Sequence, residues 1–386
     1  MKVVYCTIAS ANYLPRVKVL ADSLAAHQSN ASLQVLLCEW PERCRELSVK
    51  TGFRFLSPAE VCADWREMAF TYDITEFNTA LKPFLLDYLL RDRGDAVFYF
   101  DPDIEIFGSL EALENLAAQH ALILTPHVCE PLYVDGLRPS IDDIIKVGQF
   151  NLGFIGLARD AEVFRALRWW QEICVEHCIV DPEKGYFVDQ FWAAALPSFI
   201  QNFHCLRAPE YNVAYWNVFQ RPLERLDDSW SCQGRPLKFF HFSGLPDDDL
   251  TQVSRHQNRV SAAPGSALHT LLSAYLKKTR DNAWCGLDQQ AYSFAHFTNG
   301  QEISKLERRS LLAMPRAMRR QITDPFAGNF HDLIPKPQRK AMIGLLHGLA
   351  ARLGDFAVVA ERHGLAQALS QAVRYAVRAL TRRAHD

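Results

Sequence analysis

Along the first 180 residues, short apolar runs alternate with segments of helical period, and this alternation restricts the fold more than any other feature. Residues 3–8 and 33–37 have the length and composition of buried strands. Between them, Val17, Leu20, Leu24 and Ala25 recur at helical spacing over residues 15–26, and a second helix is expected near 41–49. Further helices fit 58–68 and 75–90, the latter broken or kinked at Pro83. Strands are expected at 96–100, 122–125 and 152–157, followed by a helix over 161–178. A strand–helix–strand–helix order builds a mostly parallel sheet with helices on its faces, an α/β fold.

The chain has 386 residues, long enough to bury a large core without staples. Its 49% apolar and 22% charged content excludes wholesale disorder and collagen-like repeats. Apolar runs stay far short of the roughly 18 residues that span a bilayer, which argues against an integral membrane protein. The net charge of −2 hides an asymmetry: residues 301–386 carry 15 Lys+Arg against 7 Asp+Glu. No charge block is dense enough to suggest a nucleic-acid partner.

Composition also changes after Gly244, where Asp247-Asp248-Asp249 introduces segments of mixed polarity. This predicts two parts, 1–250 and a mainly helical extension, 251–386. The extension ends in an amphipathic stripe of Leu365, Leu369, Val373, Val377 and Leu380 beside Arg374, Arg378, Arg382 and Arg383. Such a helix suits contact with an anionic membrane surface, against packing on the rest of the chain or dimerisation. The ten cysteines are scattered with no CxxC pair, and no signal-peptide pattern opens the chain. The expected location is cytoplasmic, with peripheral contact at the inner membrane face. Cys174, His177 and Cys178 lie within one turn, but three ligands on one helix without a second cluster make a poor zinc site.

Chemistry concentrates where the run 96–100 meets Asp101-Pro102-Asp103. A buried strand delivers two carboxylates to the carboxyl edge of the sheet, where open α/β folds bind ligands. In an extended segment, residues i and i+2 point the same way, so both would meet one hard cation. The alternatives are a solvated turn, or a phosphatase of the haloacid-dehalogenase type; Glu105 stands where the latter usually has Thr or Val. Further along come Asn151-Leu152-Gly153, Asp189-Gln190 opening an aromatic helix, and His241-Phe242-Ser243-Gly244 ending an apolar run. Residues 126–148, with three prolines and two glycines, read as a long irregular excursion, either a lid over that edge whose His127 and Asp135 would reach a ligand or a static surface loop. Tyr215, Trp216 and Asn217 offer flat faces and amide groups that suit an acceptor ligand rich in hydroxyls, or belong to the core.

Taken in order, Thr7–Tyr13, Lys82, Asp101-x-Asp103, Asn151-x-Gly153, Asp189-Gln190 and His241-x-x-Gly244 resemble the motifs of GT-A-fold glycosyltransferases, in particular the glycogenin and bacterial lipopolysaccharide galactosyltransferase group. The resemblance covers roughly residues 1–245. It implies a metal-dependent hexosyltransferase that uses a nucleotide-diphosphate sugar, a UDP-sugar by the family's habit, and retains anomeric configuration. Asp101, Asp103 and His241 would bind Mn²⁺ or Mg²⁺. Thr7, Asn12 and Tyr13 would hold the nucleoside, Lys82 the donor, and Asn151, Gly153 and Gly244 the sugar and diphosphate. Asp189 and Gln190 would face the reacting carbon, although Asp189 would equally serve an inverting enzyme as general base. The acceptor would be a glycan, a lipid-linked glycan or a protein.

One departure matters. In such relatives a Lys-Pro-Trp segment commonly follows His-x-x-Gly and clamps the diphosphate; here Leu245-Pro246-Asp247-Asp248-Asp249 follows. Lys82 or Lys238 would then supply the clamp, or the loop differs. The missing lysine also supports a rival reading, a non-catalytic GT-A-like module that binds carbohydrate or a partner.

Overall fold

A computed structural model of the chain describes residues 1–29, 31–181, 184–227, 229–287 and 291–328. The amphipathic stripe at 364–386 lies outside the described residues. Two compact units are present, Met1–Ala295 and His296–Asp386. Within the second, Ser304 and Glu307 form a reciprocal cap on the helix Lys305–Leu312.

The first unit is α/β, with a seven-stranded, mostly parallel sheet flanked by helices. Strands β1 (Val3–Ala9), β2 (Leu33–Leu37), β3 (Phe55–Leu56) and β4 (Ala96–Phe100) carry the expected apolar runs. After them, β5 (Ile104–Ile106) leaves the main sheet, and β6 (Leu122–Pro126) and β7 (Phe150–Ala158) rejoin it. Two short strands, β8 (Val180–Asp181) and β9 (Tyr186–Phe187), pair with each other. At the far margin of the main sheet, β10 (Phe203–Cys205) pairs in parallel with β6. The order is β10-β6-β7-β4-β1-β2-β3, and only β7 runs against the rest.

The chain winds outward from β1 through β2 to β3, then returns to place β4 on the other side of β1. Strand order therefore reverses between β1 and β4, and the crevice outside their carboxyl ends is where such sheets bind ligands. Because β7 is antiparallel, its first residues lie at the same edge, with Phe154 opposite Phe100. Below this edge Phe100, Phe154 and Phe239 pack with centroids 5.2 to 5.4 Å apart. Aromatic pairs of this kind add about 0.5–1.5 kcal/mol each beyond their buried area.

A second sheet stands over that edge. It joins β5 to β15 (Phe239–His241), and β15 to β11 (Val213–Ala214), with His241 opposite Ile104. Between β11 and β15 a three-stranded meander of β12 (Leu223–Leu226), β13 (Ser229–Cys232) and β14 (Arg235–Pro236) turns the chain.

Several local expectations change in the structure. The pattern over 58–68 is two short helices, Pro58–Val61 and Trp65–Thr71. The helix expected over 75–90 is divided at Leu81 into Ile74–Ala80 and Lys82–Asp92. Pro83 sits in the first turn of the second piece, where its missing N–H costs nothing. The excursion 126–148 is irregular only to Ser140; Ile141–Val147 is a helix, with Ser140 and Asp143 capping it reciprocally. After Gly244 the expected helices begin only after a looped segment, with Ala267–Asp281, and continue with Lys305–Leu312 and Arg316–Arg319 in the second unit. The helix Ala267–Asp281 belongs to the first unit: Tyr275 stacks on Phe242 at 3.6 Å, and Lys278 pairs with the buried Glu105. Among the described residues no helix is long and apolar enough to cross a membrane.

Candidate functional site

The carboxylates of Asp101 and Asp103 meet the imidazole of His241 at the edge where β4 ends. One ligand atom from each lies within 4.8 Å of the others, and no other group of three His, Cys, Asp or Glu side chains among the described residues does this. Asp101–Ile104 is a tight turn, closed by Ile104 N donating to Asp101 O at 3.1 Å. The two carboxylates thus converge through a turn rather than along the extended segment expected from sequence. His241 arrives from β15, its Nε2 3.0 Å from Asp103 Oδ1 and 3.7 Å from Asp101 Oδ2.

Burial alone would push the Asp103 carboxyl up, yet His241 and Arg16 hold it below the usual carboxylate range. Burial likewise works against a charged His241, but Asp103 and Asp101 raise its basicity. The three groups together attract positive charge. Two hard carboxylate oxygens and an imidazole nitrogen fit a divalent cation such as Mn²⁺.

Gly153 leaves the space in which the His241 ring lies. A Cβ there would stand 2.4 Å from His241 Nδ1 and 2.7 Å from Asn151 Oδ1. Trp216 meets the same ring edge-on at 5.1 Å. The histidine is therefore fixed by packing.

Beneath Asp101 lies an enclosed charge network. Lys82 Nζ stands 3.0 Å from Asp189 Oδ2 and 3.9 Å from Asp101 Oδ1, and donates to Leu152 O at 3.0 Å. Its ammonium also lies 4.4 Å from the centre of the Tyr99 ring, whose hydroxyl donates to Asp101 Oδ1 at 2.7 Å. Sequence reading missed Tyr99; its position two residues before Asp101 was the available signal. Asp189 is not the N-cap of its helix: Phe187 caps Val188–Ala193, and Val188 carries φ 40. A β-branched residue in that left-handed region costs about 1–3 kcal/mol, and such strain persists where the surroundings enforce it.

Gln190 Oε1 accepts from Leu152 N at 3.0 Å and Asn151 Nδ2 at 3.3 Å, while its Nε2 donates to Val147 O at 2.7 Å. Asn151 Oδ1 in turn accepts from Gly153 N at 3.0 Å and Asn212 Nδ2 at 3.1 Å. Lys82, Asp101, Asn151, Gly153, Asp189 and Gln190 are thus in one connected cluster. His127 joins it through Asn151 at 3.3 Å and lies buried against Trp216, at the root of the excursion. The excursion's Asp135 forms a two-armed ion pair with Arg259, at 2.6 and 2.8 Å.

On the β1 side, Thr7 is fully buried, and its Oγ1, like Asn12 Oδ1, has no hydrogen-bond partner. Buried polar atoms left open beside a ligand edge suit a partner the protein itself does not supply. A residue unforeseen from sequence, Glu39 at the end of β2, accepts from Ala11 N at 3.1 Å and from the Ser293 hydroxyl.

No protein-family model matches the chain. Two proteins of Bacillus subtilis (strain 168), both named as uncharacterised, are similar in sequence. YfnF is 26% identical over 266 residues, covering 65% of this chain and 84% of YfnF. YfnD is 28% identical over 174 residues, covering 44% of this chain and 54% of YfnD. Among solved structures, the chain is similar to the glycosyltransferase GlyE of Streptococcus pneumoniae TIGR4, with a TM-score of 0.44 and 16% identity over 74% of this chain and 63% of GlyE. It is also similar to the galactosyltransferase LgtC in complex with donor and acceptor sugar analogues, with a TM-score of 0.41 and 16% identity over 71% of this chain and 95% of LgtC. The chain thus spans less than two thirds of GlyE and about half of YfnD.

The aromatic cluster divides by burial. Trp216 is enclosed between His127 and His241, and Asn217 is fully buried. Asn217 Oδ1 accepts from Ala214 N at 2.9 Å, and its Nδ2 donates to Asn212 O at 3.0 Å and His127 O at 3.2 Å. Tyr215 is half-buried, edge-on to Trp216 at 4.9 Å and 5.9 Å from His256. His177 packs among Tyr186 and Trp192, away from any metal grouping with Cys174 and Cys178.

Proposed function

We propose that the chain is a metal-dependent glycosyltransferase that takes a sugar from a nucleotide-diphosphate donor, a UDP-sugar, and passes it with retention to a glycan, lipid-linked or protein acceptor. The observation that carries this reading is the convergence of Asp101, Asp103 and His241 at the point where strand order reverses between β1 and β4. A divalent ion held there would act as Lewis acid toward the diphosphate, where negative charge develops as the sugar–phosphate bond breaks. Asp101, Asp103 and His241 would hold that ion, and Thr7, Asn12 and Tyr13 would line the nucleoside.

Asp189 and Gln190 are the groups for the sugar. Asp189 would steady the cationic character of the reacting carbon, with Lys82 and the strained Val188 fixing its carboxylate. In a retaining transfer the acceptor hydroxyl attacks from the leaving-group face. Its proton passes to the departing diphosphate oxygen, so no separate base is needed. Tyr215 is the half-buried aromatic surface for the acceptor ring. Trp216 and Asn217 would support the site from beneath.

Donor hydrolysis by the full chain, screened over nucleotide sugars with Mn²⁺, tests the reading. Turnover of one donor that disappears in Asp103→Asn is expected. A melting shift with Mn²⁺ and nucleoside diphosphate together, larger than with either alone, should accompany it. Absence of hydrolysis for every donor despite that joint shift would favour the non-catalytic module instead.

A further inference from the structure

A diphosphate seated against an acidic metal triad needs fixed positive charge on its remaining oxygens. The two lysines expected from sequence do not provide it. Lys82 is enclosed and already bound to Asp189, Asp101 and Leu152 O. Lys238 precedes β15 and lies beside Gly108, at the opposite end of that strand from His241.

The chain past Gly244 supplies an alternative. After a detour through residues 245–253 it folds back, and Arg255 N donates to Gly244 O at 3.0 Å. Gly244, at φ +65, is pressed by the returning segment: a Cβ there would stand 2.5 Å from His256 Cδ2 and 2.7 Å from Ser254 Oγ. Arg255 is thereby set beside Gly244, three residues past His241. Its side chain is exposed, and among the described residues no carboxylate pairs with it.

A second guanidinium approaches from the first helix. Arg16 lies over the Tyr13 ring at 4.8 Å, with its side chain 23% exposed, and its ion pair is a long 3.8 Å contact with Asp247. Burial raises the Tyr13 phenol; Asp103 and Asp101 reinforce this, while Arg16 and Arg255 oppose it. Tyr13 therefore lies within electrostatic reach of Asp103, Asp101, Arg16 and Arg255.

We propose that Arg16 and Arg255 are the cations that hold the donor's diphosphate, in place of a lysine directly after His-x-x-Gly. The assignment rests on the glycosyltransferase reading above. Guanidinium forks match phosphate oxygens two at a time, which a lysine ammonium does not. The pair would make the site selective for nucleoside diphosphates over the bare nucleoside.

Calorimetric titration of the full chain with Mn²⁺ tests this, using UDP, GDP and ADP and the corresponding nucleosides. The readout is the ratio of diphosphate to nucleoside affinity, which partial loss of fold leaves unchanged. Arg255→Gln and Arg16→Gln should each lower that ratio about tenfold, as expected for loss of a charged hydrogen bond. Arg16→Lys should fall between, and Lys238→Gln should match the unaltered protein. Ratios within twofold of the unaltered protein in both glutamine variants would overturn the assignment alone. If the unaltered protein binds none of the three diphosphates with Mn²⁺, the functional reading falls, and the assignment with it.

Discussion

Lys82 Nζ lies 3.0 Å from Asp189 Oδ2, and both side chains are 2% exposed. An ion pair this deep survives because each charge answers the other: burial alone would push the lysine down, and Asp189 and Asp101 keep it protonated. The Asp189 carboxyl is nevertheless raised by the same burial. Removing one partner strands the other in a medium that solvates it poorly. Lys82→Met should therefore cost about 3–5 kcal/mol. Adding Asp189→Leu should recover much of that stability but no transfer activity. Urea denaturation of the single and double variants checks this; a single-variant cost below about 1 kcal/mol would mean the pair is effectively solvated.

The protein should also lose stability in mild acid through His127. Burial depresses this imidazole from its ordinary 6.5 to about 4. Between those values the unfolded chain binds a proton that the folded chain does not. Stability from this group is complete above pH 6.5 and is lost as pH falls toward 4. One proton corresponds to a slope of at most about 1.4 kcal/mol per pH unit. His127→Gln keeps an acceptor for Asn151 and removes the titration. Its unfolding free energy should fall less steeply than that of the unaltered protein between pH 6.5 and 4.5. Equal slopes would show that His127 does not titrate in this window.

What the sequence revealed follows from what each signal depends on. Strands β1, β2 and β4 are buried on both faces, so continuous apolar runs mark them without tertiary information. The helix Ile141–Val147 was obscured by the prolines and glycines before it, although Ser140-Ile141-Asp142-Asp143 carried a capping signal. Asp101 and Asp103 were legible as a pair, but the turn that aims them depends on β15 and β7: Phe242 N donates to Asp103 O, and Asp101 N to Gly153 O. Arg16 and Arg255 were invisible as site residues because 238 residues separate them in the chain, and only the fold brings both within electrostatic reach of Tyr13. Tyr215, Trp216 and Asn217 look alike as neighbours in sequence; only packing separates the half-buried Tyr215 from the two enclosed side chains.

Gly153 gives a direct check on the metal triad. A methyl group there would overlap His241 Nδ1 at 2.4 Å and Cε1 at 2.5 Å, in a ring that Trp216 already meets edge-on at 5.1 Å. Gly153→Ala should destabilise the fold by about 1–3 kcal/mol through overpacking. Displacing a ligand's support typically weakens metal affinity about 10- to 100-fold. Titration with Mn²⁺, followed by the paramagnetic signal of the free ion, should show that weakening. Unchanged affinity in a folded Gly153→Ala protein would remove His241 from the ligand set.

The last prediction separates support from contact in the aromatic cluster. Asn217 makes three internal hydrogen bonds with no exposure to solvent, so Asn217→Ala leaves Ala214 N, Asn212 O and His127 O without partners. A buried group left unsatisfied costs about 1–3 kcal/mol, so a loss of several kcal/mol is expected from the three together. Tyr215 touches Trp216 and His256 by ring contact alone among the described residues. Tyr215→Ala should cost little stability, and once an acceptor is known it should raise the acceptor's KM about tenfold while donor hydrolysis stays near normal, as loss of a sugar-stacking face predicts. Chemical denaturation and paired hydrolysis and transfer assays distinguish the two. A Tyr215→Ala protein that transfers normally would move the acceptor surface elsewhere on the sheet edge, and a fully stable Asn217→Ala protein would show that the polar floor beneath His127 is dispensable.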